Sequence, residues 1–331
     1  MILYITKHIR QTIIKSCLLC IAILLCGQAY SQDFHFTQFY ANKLYLAPSF
    51  AGATAENRVI GNYRNQWLGL SDGKAYVTYS TSFDHYFSNF NSGLGLLVMR
   101  DVAGSMNMGR LNIGLAYSFD FMINDEIHVR PGASFSYIQN SIDPSKANFG
   151  DDVPPTEVLN GNFKIGGVDA SSSAIVYNKD AWFGLTIDHL LHPNISYIQN
   201  NDKFPLKESL FGGYTILRKG RLLRPIDETV SIAFLFSNAD KLNLLDMGLY
   251  WAKSPLTFGV WYRGIPILDG KGDSFSVLIG TKVQHFSLGY SYDFTISSLG
   301  NSTSGTHEIS ISYEFSTVKR KRMQAVPCPE F

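Results

Sequence analysis

The chain has 331 residues, of which 14% are aromatic and 17% are charged, and its formal net charge at pH 7 is +1. Ordinary soluble domains carry about 25% charged residues, so this composition is poor in charge and rich in aromatic rings. After residue 31 no run of eighteen apolar residues occurs, which excludes a conventional membrane-spanning helix. The balanced charge also excludes a basic face for nucleic acid.

The first 31 residues have the features of a secretory signal peptide. Cys17 to Leu25 is an apolar core that is too short to span a bilayer. Ala29-Tyr30-Ser31 supplies small residues at the two positions that a signal peptidase reads, so we predict cleavage before Gln32. The basic residues that precede the core are Lys7, Arg10 and Lys15.

Cleavage at this position changes both the charge and the cysteine content. Three basic residues and no acidic residue are removed, so 25 basic and 27 acidic side chains remain, with a net charge of −2. Three of the four cysteines are also removed, and the single remaining Cys328 excludes an internal disulfide framework. Cys328 is either a thiol that pairs with a partner or an inert residue. The alternative to signal-peptide cleavage is lipoprotein processing at Cys26, although Leu25 stands where a small residue is preferred.

Alternation of apolar and polar residues is the dominant pattern of the remaining chain. Between Phe286 and Phe294 every second residue is aromatic or leucine, and the residues between them are Ser, Gly and Asp. Residues 111–121 repeat this pattern. A period of two places the two sets on opposite faces of a strand. An apolar face opposite a small polar face is typical of a wall between lipid and water.

Fourteen segments have strand patterns, and an even number is expected of a bacterial barrel. Several approach the ~9–11 residues that a tilted strand needs to cross a membrane. Because a bilayer leaves open sheet edges unsatisfied, we predict an all-β fold, a transmembrane outer-membrane β-barrel of about 14 antiparallel strands. A large periplasmic sandwich is the alternative. The predicted strands are 57–67, 75–86, 91–101, 108–121, 126–139, 168–177, 181–190, 207–217, 228–237, 243–252, 256–264, 274–283, 285–295 and 306–315.

The pattern predicts four segments of the chain. The tail contains four consecutive cations, Lys319 to Arg322, which cannot lie in hydrocarbon. We therefore expect the tail in water on the periplasmic side, where its cations and thiol could dock a periplasmic component. The predicted segments are a signal peptide at 1–31, an N-terminal leader inside or beneath the barrel at 32–56, the barrel at 57–315, and the basic tail at 316–331.

Charged residues within the predicted strands are expected to face the lumen or to lie at strand ends. A charge that faces lipid at the bilayer midplane costs roughly 2–4 kcal/mol. These charges allow two interpretations, which are a polar channel or plug-binding network and a satisfied lumen without a substrate. They are Arg64, Asp84, Arg130, Asp188, Asp246, Arg263 and Lys282.

Signatures of catalysis and of cofactor binding are missing from the sequence. It contains no Walker A loop, no GxGxxG, no GxSxG and no HExxH. We therefore predict a non-enzymatic protein without catalytic residues, cofactor or metal. His189 and His192 fall where a strand runs into a loop, and we interpret them as loop histidines rather than a metal pair. Asp151 and Asp152 are interpreted as solvated loop acids, with a calcium site as the alternative.

Several strings of residues resemble the PorP/SprF family. Gln32 to Phe39 and Ala47 to Gly52 resemble the opening of that family, and Tyr63-Arg64-Asn65-Gln66-Trp67 is the most specific string. The terminal Cys328-Pro329-Glu330-Phe331 is similar to the family's end. The resemblance runs from about residue 32 to the end of the chain. One departure is Ala47-Pro48-Ser49, where the family usually has Asn-Pro-Ala.

The resemblance implies an outer-membrane barrel of the type IX secretion system in Bacteroidetes-type bacteria. It implies a role in the secretion or surface anchoring of a large cargo protein, such as a gliding adhesin, through the cargo's C-terminal sorting domain. The implied partners are this cargo, other secretion-system components in the periplasm, and membrane lipid. A porin-like solute channel is the alternative function, and an outer-membrane enzyme is a third.

The string from Tyr63 to Trp67 allows two interpretations. On a strand, Tyr63 and Trp67 share one face, while Arg64 and Gln66 share the other. The string is then either an aromatic interface anchor with a lumenal hydrogen-bonding pair, or a contact that holds the leader in the barrel. The candidate contact residues are Tyr63, Arg64, Asn65, Gln66, Trp67 and Cys328.

Overall fold

The computed structural model divides the chain into two compact units, Met1–Phe34 and His35–Phe331, and every described residue belongs to the second. The predicted signal peptide, the basic run 319–322 and Cys328 lie outside the described residues. The described residues are 35–54, 57–70, 75–104, 108–144, 163–194, 203–220, 228–239, 242–264, 272–297, 303–315 and 325–327.

The second unit is a closed antiparallel β-barrel, which confirms the predicted fold class. Each strand pairs with its neighbours in sequence, and β1 pairs with β15 to close the sheet. The two-residue β5 continues β4 beyond Asp120, and both pair with β6, so the barrel has 14 staves. The strands are β1 (Asn57–Gln66), β2 (Tyr76–Phe87), β3 (Ser92–Ala103), β4 (Met108–Phe119), β5 (Phe121–Met122), β6 (His128–Ile142), β7 (Phe163–Tyr177), β8 (Ala181–Asp188), β9 (Lys207–Lys219), β10 (Glu228–Ala239), β11 (Leu242–Lys253), β12 (Leu256–Gly264), β13 (Gly272–Val283), β14 (Phe286–Thr295) and β15 (Thr306–Phe315).

The barrel wall follows the alternation in the sequence. On β14 the side chains of Phe286 and Leu288 are 59% and 48% exposed, whereas Ser287 and Ser291 are buried. The exposed apolar rows face outward, where lipid satisfies them, and the small polar rows face the lumen. In the segment before β1, the one-turn α1 (Lys43–Leu46) lies between 3₁₀ turns at Phe39–Ala41 and Pro48–Phe50. Within the described ranges, no helix has the length and apolar character to cross a membrane.

The two ends of the barrel differ. β1 begins and β15 finishes at the same end, because Asn57 pairs with Phe315. At this short-turn end the described connections are brief, at 88–91, 123–127, 178–180, 254–255 and 284–285. The connections 143–162 and 189–206 lie at the opposite, long-loop end. Bacterial barrels place short turns in the periplasm, so we expect the short-turn end to face the periplasm.

The predicted strands differ from the observed ones mainly at their ends. β6 and β7 continue to Ile142 and Phe163, past the predicted limits of 139 and 168, because they go on pairing with each other. The predicted strand 108–121 is interrupted at Asp120, whose carboxylate accepts a hydrogen bond from the Tyr177 hydroxyl at 3.1 Å. Tyr177 lies on β7, two strands away in the sheet, and alternation along a single strand does not predict this contact.

Candidate functional site

A segment of the chain lies inside the barrel and is the candidate site. We call its described residues, 35–54, the plug. From Phe36 to Ala53 every plug residue except Tyr45 is buried. His35 lies beside Asp246 in the half of the lumen near the long-loop end, and Gly52 lies beside Asp84 near the short-turn end. The plug therefore traverses the lumen before the chain enters β1.

Glu308 on β15 holds the first turn of the plug by its main chain. Its two carboxylate oxygens accept hydrogen bonds from the backbone N–H groups of Thr37 and Gln38, both at 2.9 Å. Arg64 on β1 donates to Glu308 at 3.0 Å and to the Thr37 hydroxyl at 2.6 Å. The Thr37 hydroxyl donates in turn to Asp293 on β14. Arg64 thus contacts the plug directly and also pairs two buried carboxylates.

Arg263 on β12 forms a second charged contact at the same level. Its Nε donates to Asp246 at 3.0 Å, and its Nη2 lies 3.5 Å from the Phe36 carbonyl oxygen, which accepts. The Asp246 carboxylate also contacts His35 Nε2 at 2.8 Å. Charges buried in a protein are tolerated when they are paired and hydrogen-bonded. Together with the contacts of Glu308, Arg64 and Asp293, these contacts pair the buried charges and tie the plug to five strands, β15, β1, β14, β12 and β11.

A third group of contacts holds the far end of the plug. Arg130 on β6 donates to the carbonyl oxygens of Ser49 at 3.2 Å and Ala51 at 2.6 Å. Ser118 on β4 donates to the same Ala51 oxygen at 2.7 Å. Asp84 on β2 accepts from the Gly52 N–H at 3.0 Å. All of these plug atoms belong to the main chain.

The opposite side of the lumen is aromatic. Phe39 packs edge-on against Trp261 with ring centroids 5.0 Å apart. Tyr40 packs against Tyr250 at 4.8 Å, and Phe50 lies 5.9 Å from Phe211. The partner rings belong to β8, β9, β11 and β12, and Trp182 completes the group. Aromatic packing therefore holds the plug against β8, β9, β11 and β12, where Arg263 and Asp246 add charged contacts near the long-loop end. The contacts with β14, β15, β1, β2, β4 and β6 described above are charged or polar.

These inward aromatic residues correct the expectation of a polar interior. The sequence indicates these inward residues where short runs of consecutive apolar residues, such as Leu249-Tyr250-Trp251, replace strict alternation. A run of this kind indicates a strand that is apolar on both faces. Here the outer face meets lipid and the inner face meets the plug.

The predicted strand charges are confirmed as lumenal for Arg64, Asp84, Arg130, Asp246 and Arg263, which are all buried. The other two lie near strand ends. Lys282 donates to Glu314 at 3.1 Å near the short-turn end. Asp188 is the last residue of β8 and lies 3.7 Å from Lys207.

The other candidate contact residues occupy different surroundings from Arg64. Tyr63 packs on Tyr79 with ring centroids 5.3 Å apart, and Asn65 donates to the Tyr63 hydroxyl at 3.5 Å. Gln66 is the last residue of β1, and Trp67 follows with a φ of 60°. Strand alternation thus ends before Trp67, whose ring packs against Tyr76 and does not share the face of Tyr63 by strand geometry. Of this string, the described hydrogen bonds bring Arg64 to the plug.

The tail also reaches the plug. The described tail residues are 325–327, and the Val326 N–H donates to the Ala53 carbonyl oxygen at 3.3 Å. Val326 is 5% exposed and belongs to the apolar cluster that contains Phe39 and Phe50. The expectation that the tail lies in water is therefore wrong for Val326. Burial against the plug removes this apolar side chain from water, which lowers the free energy of the folded chain.

The two loop histidines lie at the long-loop end. β8 ends at Asp188, and His189 follows it with its Nδ1 2.6 Å from the Asp169 carboxylate. Its ring stacks on Phe204 at 4.6 Å, and the His192 ring contacts the Phe204 carbonyl oxygen. These contacts hold the described ends of the connection between β8 and β9, 189–194 and 203–206, against each other. No group of three or more His, Cys, Asp and Glu that could hold a metal ion occurs among the residues described.

Comparisons with known proteins give the barrel its context. No curated protein sequence matches the chain. Among solved structures, Acinetobacter baumannii Omp33 aligns with 80% of this chain and 100% of its own, at 10% identity and a TM-score of 0.45. A Pseudomonas aeruginosa FadL homologue aligns with 78% and 90% of the two chains, at 12% identity and a TM-score of 0.42. These likenesses carry no argument about function.

The family comparison covers most of the chain. The sequence model of the type IX secretion system membrane protein PorP/SprF matches residues 28–313. A membrane protein that forms a closed barrel with an apolar outer wall belongs in a bacterial outer membrane. The match includes the whole plug and all but the last two residues of the barrel. The chain belongs to the PorP/SprF family of type IX secretion system membrane proteins.

Proposed function

We propose that this protein is a non-enzymatic outer-membrane component that aids the secretion or surface anchoring of a large cargo protein by binding the cargo's C-terminal sorting domain. Membership of a secretion-system membrane family supports a role in protein export. The observation that carries the proposal is the plug, because a lumen occupied by the protein's own chain favours a binding role over solute passage.

A solute channel receives less support from the same geometry. The plug contacts lumenal side chains on both the polar and the aromatic side, from Asp246 at one level to Asp84 at another. Free diffusion of a solute requires a continuous polar path, and the buried plug occupies that space. The third alternative, a barrel enzyme, gains no supporting arrangement from the described side chains.

A display experiment tests the proposal. A strain that lacks this gene is complemented with the wild-type chain, and an epitope-tagged cargo that carries a C-terminal sorting domain is expressed beside it. We expect surface labelling of the cargo in intact cells only when the barrel is present. A cargo without its sorting domain should fail to copurify with the barrel from detergent. Equal display without the barrel would contradict the proposal.

Arg64→Ala provides the matched test of the plug's part in that role. Removing one partner of a buried charge pair typically costs 3–5 kcal/mol, so Glu308 and the first turn of the plug should loosen. We expect cargo display to fall several-fold at equal barrel abundance. Lys282→Ala is the control, since it removes a partly exposed ion pair with Glu314 between strand ends, which is worth about 0–1 kcal/mol.

The tail is the proposed contact for a periplasmic component of the system. Its described part lies at the short-turn end beside Ala53, close to the end of β15. Deleting residues 328–331 leaves Val326 in place and removes Cys328. We expect display to fall if this contact is used, and normal display would remove the tail's terminus from the proposal.

A further inference from the structure

The barrel holds its plug largely by the plug's main chain. Glu308 accepts hydrogen bonds from the N–H groups of Thr37 and Gln38, and Asp84 accepts one from the N–H group of Gly52. The carbonyl oxygens are held in the same way, since Arg130 donates to those of Ser49 and Ala51. Thr186 on β8 donates to the Leu46 carbonyl oxygen at 3.1 Å, and the Ser173 hydroxyl oxygen on β7 accepts a hydrogen bond from the Ser49 N–H at 2.9 Å.

Main-chain groups are common to every polypeptide, so these contacts carry little information about which chain is bound. Hydrogen bonds to charged groups are stronger than neutral ones, and at Glu308, Asp84 and Arg130 the barrel supplies the charge. The plug's own side chains make aromatic contacts through Phe39, Tyr40 and Phe50. Polar side-chain contacts are added at His35, Thr37, Gln38, Asn42 and Ser49. The lumen therefore has the character of a peptide site with fixed main-chain partners and aromatic pockets.

Besides main-chain partners and aromatic residues, a bound segment must allow its main chain to approach the barrel wall closely. A Cβ built at Gly93 on β3 would overlap the Ala51 carbonyl oxygen, and one built on Gly52 would meet the backbone of Gly93 and His85. Gly52 also has a φ of +64°, which favours glycine. A small residue followed by glycine is thus required directly after the second aromatic anchor.

We propose that the lumen is a polypeptide-binding site whose resident occupant is the plug, and that a segment of a partner polypeptide can take the plug's place. The segment would carry an aromatic pair like Phe39 and Tyr40, and a third aromatic residue at the spacing of Phe50. A small residue and a glycine would follow that third residue directly. This inference rests on the proposed function in one respect, which is that the cargo or another secretion component supplies the segment.

An exchange experiment on the folded protein tests the site itself. A protease recognition sequence is placed at residues 55–56, the full chain is folded in detergent, and the connection is then cut. A fluorescent synthetic peptide with the sequence of residues 35–54 is added. We expect the labelled peptide to replace the plug and to co-migrate with the barrel at one copy per barrel. The barrel is also refolded from urea in the presence of the labelled peptide. If the peptide enters the barrel neither by exchange nor on refolding, the proposal is overturned.

Main-chain recognition is tested by chemistry that leaves side chains unchanged. A peptide N-methylated at Thr37 and Gln38 loses both donors to Glu308, and we expect it to bind at least about tenfold more weakly. A barrel with Glu308→Gln should show a smaller further loss when the methylated peptide is used, because the shared contact is already weakened. Lys282→Ala is the matched barrel control. Equal binding of methylated and unmodified peptides would overturn main-chain recognition.

A comparison of aromatic with polar substitutions in the peptide tests which side chains the lumen recognises. Phe39→Ala with Phe50→Ala should weaken the peptide by more than about a thousandfold. Asn42→Ala with Ser49→Ala removes neutral hydrogen bonds to Ser80 and Ser173 and should cost about 5- to 50-fold. The reverse order would mean that the site reads the plug's own polar side chains, and it would overturn the proposal. Because the readout is binding in detergent, its failure leaves the cargo-display result standing as a separate outcome.

Discussion

Single residues decide how closely the plug approaches the wall. Gly93 leaves room for the Ala51 carbonyl oxygen, and that oxygen accepts hydrogen bonds from Arg130 and Ser118. The absence of one side chain on β3 thereby allows two side chains on other strands to reach the same atom. The geometry depends on a position that carries no functional group of its own.

Gly93→Ala should destabilise the plug. The added methyl group must displace the Ala51 carbonyl from its donors, and overpacking of this kind typically costs 1–3 kcal/mol. Gly61→Ala is the control, since a Cβ there meets nothing within 4 Å. We expect a lower urea midpoint for Gly93→Ala, measured by fluorescence of Trp182 and Trp261, and little change for Gly61→Ala. Equal midpoints would contradict the assigned contact.

At the scale of elements, alternation was sufficient to predict the strands. Every predicted strand has an observed counterpart. An outer face in lipid and a small polar inner face impose a period of two on most strands, and the inward aromatic residues of β8, β9, β11 and β12 interrupt it only locally. The ends of β6 and β7 could not be predicted, since their length depends on mutual pairing beyond the apolar band. A local pattern does not contain that information.

The plug was harder to predict than the wall. Its residues have no regular period, and their contacts lie far away in sequence, as between Thr37 and Glu308. Arg64 was a candidate contact because a buried strand charge needs a partner, but the identity of the partner required the fold. The Val326 contact with Ala53 gave no sequence signal at all, since one valine in a tail is unremarkable by composition.

The tail contact leads to a prediction at this scale. Val326→Asp places a carboxylate in an apolar site, where burial without a partner is unfavourable, so the tail should leave the plug. Ala325→Asp is the control, because Ala325 is exposed. We expect faster amide hydrogen exchange around Ala53 in the first variant only, measured by mass spectrometry. Unchanged protection of that segment would show that the tail does not secure it.

At the largest scale, the described part of the second unit is a closed barrel whose lumen holds the plug. Closure through β1 and β15 removes free sheet edges, and the plug joins opposite walls through its polar and aromatic sides. The described lumen therefore combines aromatic packing with buried charged contacts. Salt should weaken exposed ion pairs more than the buried contacts of Arg64 and Arg263, because buried charges are poorly screened.

The occupied lumen predicts that the protein does not conduct ions. Purified wild-type protein inserted into a planar bilayer should give no stable ion-conducting steps, and a known porin in the same bilayer serves as the positive control. A chain that lacks residues 35–54 should conduct if it folds, which heat-modifiable migration on a gel checks. Porin-like steps from the wild-type protein would contradict the filled lumen and favour the solute channel.

The buried plug has a consequence for the cell that carries this barrel. A wide cylinder without an occupant would admit dyes, bile salts and hydrophilic antibiotics, and each additional copy would weaken the envelope. Because residues 35–54 lie inside the lumen, we expect the protein to reach a high density in the membrane without opening such a path. Its abundance is then limited by assembly and by the available membrane area.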